Sequence, residues 1–121
     1  MIKISSIVIG VHSLTESRSF YEKILGITFS EFRPPFAAFE LNGIEFNIEE
    51  DSNTRHVAWN SQYIGGRKSV VFEVDNLESF LKQAIKNGAI LIQVPEEKTW
   101  GYKEAVIADP SNNQFLIEQK L

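Results

Sequence analysis

The chain says nearly the same thing twice, and that repetition limits its fold more than any other property. Ile7-Val8-Ile9-Gly10-Val11-His12-Ser13-Leu14 runs from an apolar strand into a helix, and Val70-Val71-Phe72-Glu73-Val74-Asp75-Asn76-Leu77 does so again. The last strand of the first half reads Phe46-Asn47-Ile48-Glu49, and that of the second reads Phe115-Leu116-Ile117-Glu118. Half of a 121-residue chain is too short to bury a sheet by itself. The expectation is therefore one domain over residues 1–121, with module 1–49, connector 50–68 and module 69–121. The cleft between the modules is the natural place for chemistry.

Local signals give each module the same order of elements. Residues Ile2 to Gly10 are rich in β-branched side chains and read as a strand. Ser13 with Glu16 forms a capping-box pattern, Phe20, Tyr21, Ile24 and Leu25 make one apolar stripe, and Gly26 closes the helix. Ile27 to Arg33 reads as the next strand, stopped by Pro34-Pro35. Phe36 to Leu41 and Ile44 to Glu49 follow, joined by the hairpin signal Asn42-Gly43. In the second half Ser69 to Val74 is a strand, and Asp75 with Glu78 repeats the cap. Leu77, Phe80, Leu81, Ala84 and Ile85 form a helical stripe that ends at Gly88. Strands over Ala89 to Val94, Glu104 to Ala108 and Gln114 to Gln119 complete it, the last two joined by the turn Asp109-Pro110-Ser111-Asn112-Asn113. Helices are thus expected near residues 13–25 and 76–87, in an α+β fold of two βαβββ modules. The connector is polar, ends at the turn Gly65-Gly66, and carries His56, Trp59 and Tyr63. Long irregular segments inside compact domains are often functional.

Composition narrows the function classes. A net charge of −4 offers no basic surface for nucleic acid. The absence of cysteine removes disulfides, thiolate metal sites and a cysteine nucleophile. No apolar run reaches membrane-spanning length, and the N-terminus lacks a secretory pattern, so a soluble cytoplasmic protein is expected. No nucleophile-elbow, phosphate-cradling loop or HExxH pattern occurs. His12, at the helix entrance, and His56 read as ordinary surface residues.

The duplicated pattern resembles the vicinal oxygen chelate superfamily, which includes glyoxalase I, extradiol dioxygenases, and bleomycin- and fosfomycin-resistance proteins. The resemblance is carried by Val11-His12-Ser13-Leu14-Thr15-Glu16-Ser17-Arg18-Ser19-Phe20-Tyr21, by Leu25-Gly26, by Trp100-Gly101-Tyr102, and by Asp109-Pro110-Ser111-Asn112-Asn113. Asn112 stands where the family pattern has glycine. The resemblance implies a glyoxalase/bleomycin-resistance fold, with curved mixed sheets around a ligand cavity and a homodimer. It also implies four metal-ligand positions, one on the first and one on the last strand of each module. In this chain those positions hold Ser6, Asn47, Ser69 and Leu116. Serine hydroxyls and one amide are weak ligands and leucine is none, so no metal and no other cofactor is expected. Glu49 and Glu118 lie two residues beyond two of the positions, roughly 6–7 Å along their strands, and read as solvated strand-end residues.

What remains is a set of ligand contacts. Trp100 and Trp59 suit stacking on a planar molecule. Phe39 supplies apolar wall, Ser6, Asn47 and Ser69 supply hydrogen bonds, and Glu49 and Glu118 favour a cation. No catalytic residue is assigned. The leading expectation is a metal-free small-molecule-binding protein of the bleomycin-resistance type, sequestering a planar, antibiotic-like ligand. The alternatives are a glyoxalase-like lyase or isomerase with an atypical metal site or acid–base chemistry at Glu49 or Glu118, and a ligand-sensing module.

Overall fold

The computed structural model describes residues 1–51 and 64–121. His56, Trp59 and Tyr63 lie outside the described residues. The first module comprises β1 (Ile7–Val11), α1 (Leu14–Ser19), β2 (Glu31–Arg33), β3 (Phe36–Leu41) and β4 (Ile44–Glu50). The second comprises β5 (Gly66–Glu73), α2 (Leu77–Lys86), β6 (Ile90–Glu97), β7 (Tyr102–Ala108) and β8 (Asn113–Lys120). Each builds a four-stranded mixed sheet, in the orders β1-β4-β3-β2 and β5-β8-β7-β6, with the first and last strands of each module parallel. The two βαβββ modules therefore fold alike.

Their matching parts are held by matching bonds. Ser13 Oγ accepts from Glu16 N, and Asn76 Oδ1 accepts from Ser79 N, so the second cap is Asn76 rather than Asp75. Each module's last strand also sends a side chain to the first turn of its helix. Leu14 N donates to Glu50 Oε1 at 2.8 Å, and Leu77 N donates to Gln119 Oε1 at 2.7 Å. Those amides have no intrahelical acceptor, so the side chains satisfy them. Gly88 takes φ +97° and closes α2 with Ala89 N bonded to Ala84 O. The first helix closes differently. After Ser19 it widens into a π-helical turn over Phe20–Ile24, and Ile27 N reaches Tyr21 O.

Several boundaries differ from the sequence reading. β1 starts only at Ile7, β2 is confined to Glu31–Arg33, and Glu50 and Gly66–Lys68 belong to strands rather than to the connector. Residues 1–6 have strand-forming composition but no described partner strand, and composition alone makes no ladder. Asn42 and Gly43 both have positive φ, as a type I′ hairpin turn requires.

One face of each sheet enters a shared core. Phe39 and Phe46 stack at 4.9 Å and 3°, Phe46 meets Phe72 across the module boundary, and Phe115 packs against both Phe20 and Tyr21. The turn before β8 locks the modules together. Buried Asp109 accepts from Ser111 N, Asn113 N, Asn113 Nδ2 and Tyr21 Oη, the last at 2.8 Å. Asn113 also donates to Gly10 O at 2.8 Å and accepts from Gly65 N at 2.8 Å. Burial and the adjacent Asp109 push the Tyr21 hydroxyl well above its ordinary pKa, keeping it a donor. Asn112 sits at φ +62°, which asparagine tolerates better than most residues, so it can replace the glycine of the family pattern.

Tyr21→Phe should cost about 1–2 kcal/mol by leaving Asp109 one donor short. Asn113→Ala, which strands several buried groups, should cost about 2–4 kcal/mol. Urea unfolding of both variants tests this ranking, and a neutral Asn113→Ala would show that the turn does not hold the modules together.

Candidate functional site

The shared core leaves the opposite face of each sheet turned away from it, and the unpaired edges of two strands meet along a seam. β1 pairs with β4 on one side and β5 pairs with β8 on one side, and among the described residues no strand runs along their other edges. An isolated parallel bridge from Ile64 to Gly10 closes one end of this seam. Beyond that bridge it opens into a cavity of about 700 Å³, walled by Ile7, Val8 and Ile9 on one side and by Arg67, Lys68, Ser69, Val70 and Val71 on the other. A smaller cavity, about 360 Å³, lies where Leu41 and Asn42 approach β5 and Phe80 of α2.

The candidate residues fall into separate groups. Ser6 and Asn47 are joined, with Asn47 Nδ2 donating to Ser6 Oγ at 3.0 Å, while buried Asn47 Oδ1 has no partner among the described residues. Glu49 shares that sheet face and is 6% exposed, so it is not the solvated residue expected of a strand end. Ser69 lies on the cavity wall opposite Val8, which is itself in register with Asn47. Phe39 points the other way, into the core, where it is fully buried and stacked on Phe46.

Glu118 and Trp100 form a distinct group on the second sheet. Register aligns Glu73, Glu118, Glu104 and Glu96 in one row across all four strands. Trp100, 62% exposed in the turn between β6 and β7, donates its indole N–H to Glu104 Oε2 at 3.3 Å. Lys98 partly offsets the row through a 3.2 Å pair with Glu96. Trp100 therefore stands toward the far edge of the sheet from Ser69 and the seam. Burial, followed by the charges of Glu104 and Glu73, raises the Glu118 pKa. Burial also lowers the Lys68 pKa, partly offset by Asp109.

The four positions at which the family pattern places metal ligands do not suit a transition metal. Ser6 and Asn47 bond to each other, Ser69 is a hydroxyl, and Leu116 lies between Val71 and Val106 in register. Among the described residues, no three of His, Asp and Glu gather as a metal site.

The sequence reading missed Arg67, Lys68 and the carboxylate row. Strand alternation could have placed Glu73 and Glu118 together, because each falls on the outward face near the end of its strand. The cross-strand alignment of Glu96 depends on two bulges in the β6–β7 pairing, which no local signal marks.

A carboxylate raised by its surroundings opposes folding once ionised. Relative to the unfolded chain, Glu118 costs stability as pH rises through its folded pKa, and the cost vanishes in acid where both states are protonated. Glu118→Gln should therefore raise the melting temperature near neutral pH, more so at low salt, and lose that advantage near pH 4. Equal melting curves at every pH would show that the row carries no repulsion.

The family model for the "Glyoxalase/Bleomycin resistance protein/Dioxygenase superfamily" matches residues 3–117. Among solved structures, a glyoxalase/bleomycin resistance protein/dioxygenase family enzyme from Burkholderia phytofirmans PsJN superposes with TM-score 0.81 at 23% identity, covering 99% of this chain and 100% of the other. A glyoxalase-related enzyme from Fulvimarina pelagi gives 0.77 at 16%, covering 99% and 89%. A protein of unknown function from Agrobacterium tumefaciens str. C58 gives 0.76 at 22%, covering 100% and 96%. These likenesses establish the fold. No curated protein sequence matches the chain.

Proposed function

Because the chain belongs to the glyoxalase/bleomycin resistance protein/dioxygenase superfamily, we infer that it binds a small planar molecule in the seam between β1 and β5 and releases it unchanged. The observation that carries this reading is the cavity itself. Its volume of about 700 Å³ falls within the range of small-molecule sites, and its wall is mostly aliphatic with a few polar side chains. The donor chemistry of Ser6, Asn47, Ser69 and Leu116 adds support, since it leaves no ligand set to activate a bound substrate. A homodimer belongs to the same reading. Ile90, Ile92 and Val94 on the edge strand β6 are 56%, 44% and 66% exposed, an apolar stripe that a second copy would cover.

One observation favours a second reading, a glyoxalase-like lyase or isomerase. Glu118 has a raised pKa, which suits a group that gives and takes a proton near neutrality. That carboxyl stands in the row beside Trp100 rather than on the cavity wall, so binding without turnover is the stronger reading.

A screen of planar aromatic compounds by intrinsic fluorescence, with mass spectrometry of the recovered ligand, separates the two. The expected result is saturable binding and an unaltered ligand. Ser69→Trp, which places an indole on the cavity wall, should weaken binding more than tenfold, and Trp100→Ala should leave it within twofold. A chemically changed ligand, or loss of binding in Trp100→Ala with none in Ser69→Trp, would move the site to the carboxylate row. Elemental analysis should find no stoichiometric transition metal; about one zinc, nickel, iron or manganese per subunit would refute the metal-free reading. Light scattering at micromolar concentration should give twice the chain mass, and a monomer throughout would remove the dimer.

A further inference from the structure

The two walls of the seam cavity come from corresponding strands of the duplication, yet they differ in charge. Ser69, Val70 and Val71 correspond to Ser6, Ile7 and Val8, but Arg67 and Lys68 correspond to Ile4 and Ser5. Among the described residues, the cavity wall thus carries Arg67 and Lys68 and no carboxylate, in a chain whose Asp and Glu outnumber Lys and Arg by 16 to 12. Arg67 makes no ion pair among the described residues.

Resting on the small-molecule reading of this cavity, we propose that its ligand carries an anionic group, a carboxylate or phosphate, held by Arg67, with its planar body against Val8 and Val71. Guanidinium matches such groups because its planar fork donates two parallel hydrogen bonds, which adds geometry to charge. Lys68 lies next along β5, half-buried on the same wall. The apolar wall supplies the rest of the affinity, and the half-open setting keeps the ion pair sensitive to salt. Specificity follows from charge placement: an anionic end selects the Arg67 end of the cavity and fixes which way a planar ligand enters.

Three isosteric probes test this: 2-naphthoate, 2-naphthylmethanol and 2-naphthylmethylammonium, titrated by calorimetry into the wild-type protein, Arg67→Gln and Arg67→Lys. Arg67 is exposed, so its replacement leaves the core intact, and thermal melts check that. Naphthoate should bind at least tenfold tighter than the alcohol, and the ammonium probe weakest. Arg67→Gln should weaken naphthoate about tenfold and leave the alcohol within twofold, while Arg67→Lys recovers part of the loss. Raising salt should weaken naphthoate alone. If the alcohol and the ammonium probe bind as tightly as naphthoate, and Ser69→Trp blocks all three, the cavity stands and the anionic ligand is overturned. If none binds, or Ser69→Trp blocks none, the cavity reading and the proposal fall together.

Discussion

A four-stranded sheet with one helix leaves an apolar face that needs a second layer, and here each module supplies that layer to the other. Phe46 reaches Phe72, and Phe20 and Tyr21 of the first module pack on Phe115 of the second. Most other features follow from this shared core. It commits one face of each sheet to the interior and turns Asn47, Glu49, Leu116 and Glu118 away from it. Since β4 and β8 each take only one side of their parallel partners, no strand among the described residues lines the other edge of β1 or β5, apart from the Gly10–Ile64 bridge. The seam cavity lies between those two edges.

The polar contacts at the module boundary must then be complete, because an unsatisfied group in a buried site is costly. Asp109 shows how this is met. It is 1% exposed and takes four donors, one of them from the opposite module. Asn113 carries the link further, to Gly10, the bridge partner of Ile64, and to Gly65, the next residue after Ile64. The same turn that locks the modules therefore positions the closed end of the cavity. The surface pairs contribute less. Arg18–Glu22 and Lys103–Glu78 are exposed on at least one partner, where water and salt screen most of the attraction.

Much of this architecture is legible in the amino-acid sequence. The capping residues, the closing glycines and the Asn42-Gly43 turn are local signals with local causes, and the duplication reinforces them by repeating the cap and the closing glycine in each half. The boundaries of β1 and β2 are less legible, because a strand exists only where a neighbour completes its ladder, and Ile2 to Ser6 find none. The site is the least legible. Phe39 and Asn47 both look like wall residues, but they point to opposite faces, and only the register settles which face meets the core. Trp100 and Ser69 are brought to one site by motif order and parted by the width of the second sheet. Glu96 enters the carboxylate row through bulges that shift pairing between strands, a long-range effect without a local signature.

Comparison of the two halves also separates what the fold demands from what it leaves open. Glu50 and Gln119 occupy matching positions and do the same work at a helix start, as an acid in one module and an amide in the other, since only the acceptor oxygen is used. On the faces turned from the core the equivalence is partial: Glu49 matches Glu118 and Ser6 matches Ser69, but other positions differ. Asn47 carries an oxygen with no partner among the described residues where its counterpart Leu116 lies between valines in register, and Ile4-Ser5 give way to Arg67-Lys68. Folding constrains the first kind of position through hydrogen bonds that both modules need. It places no such demand on the second, so the asymmetry of the outer faces reflects what they meet rather than what holds them together. A symmetric scaffold therefore carries an asymmetric lining, with Arg67 and Lys68 at one end of the seam and no counterpart charge at Ile4 and Ser5.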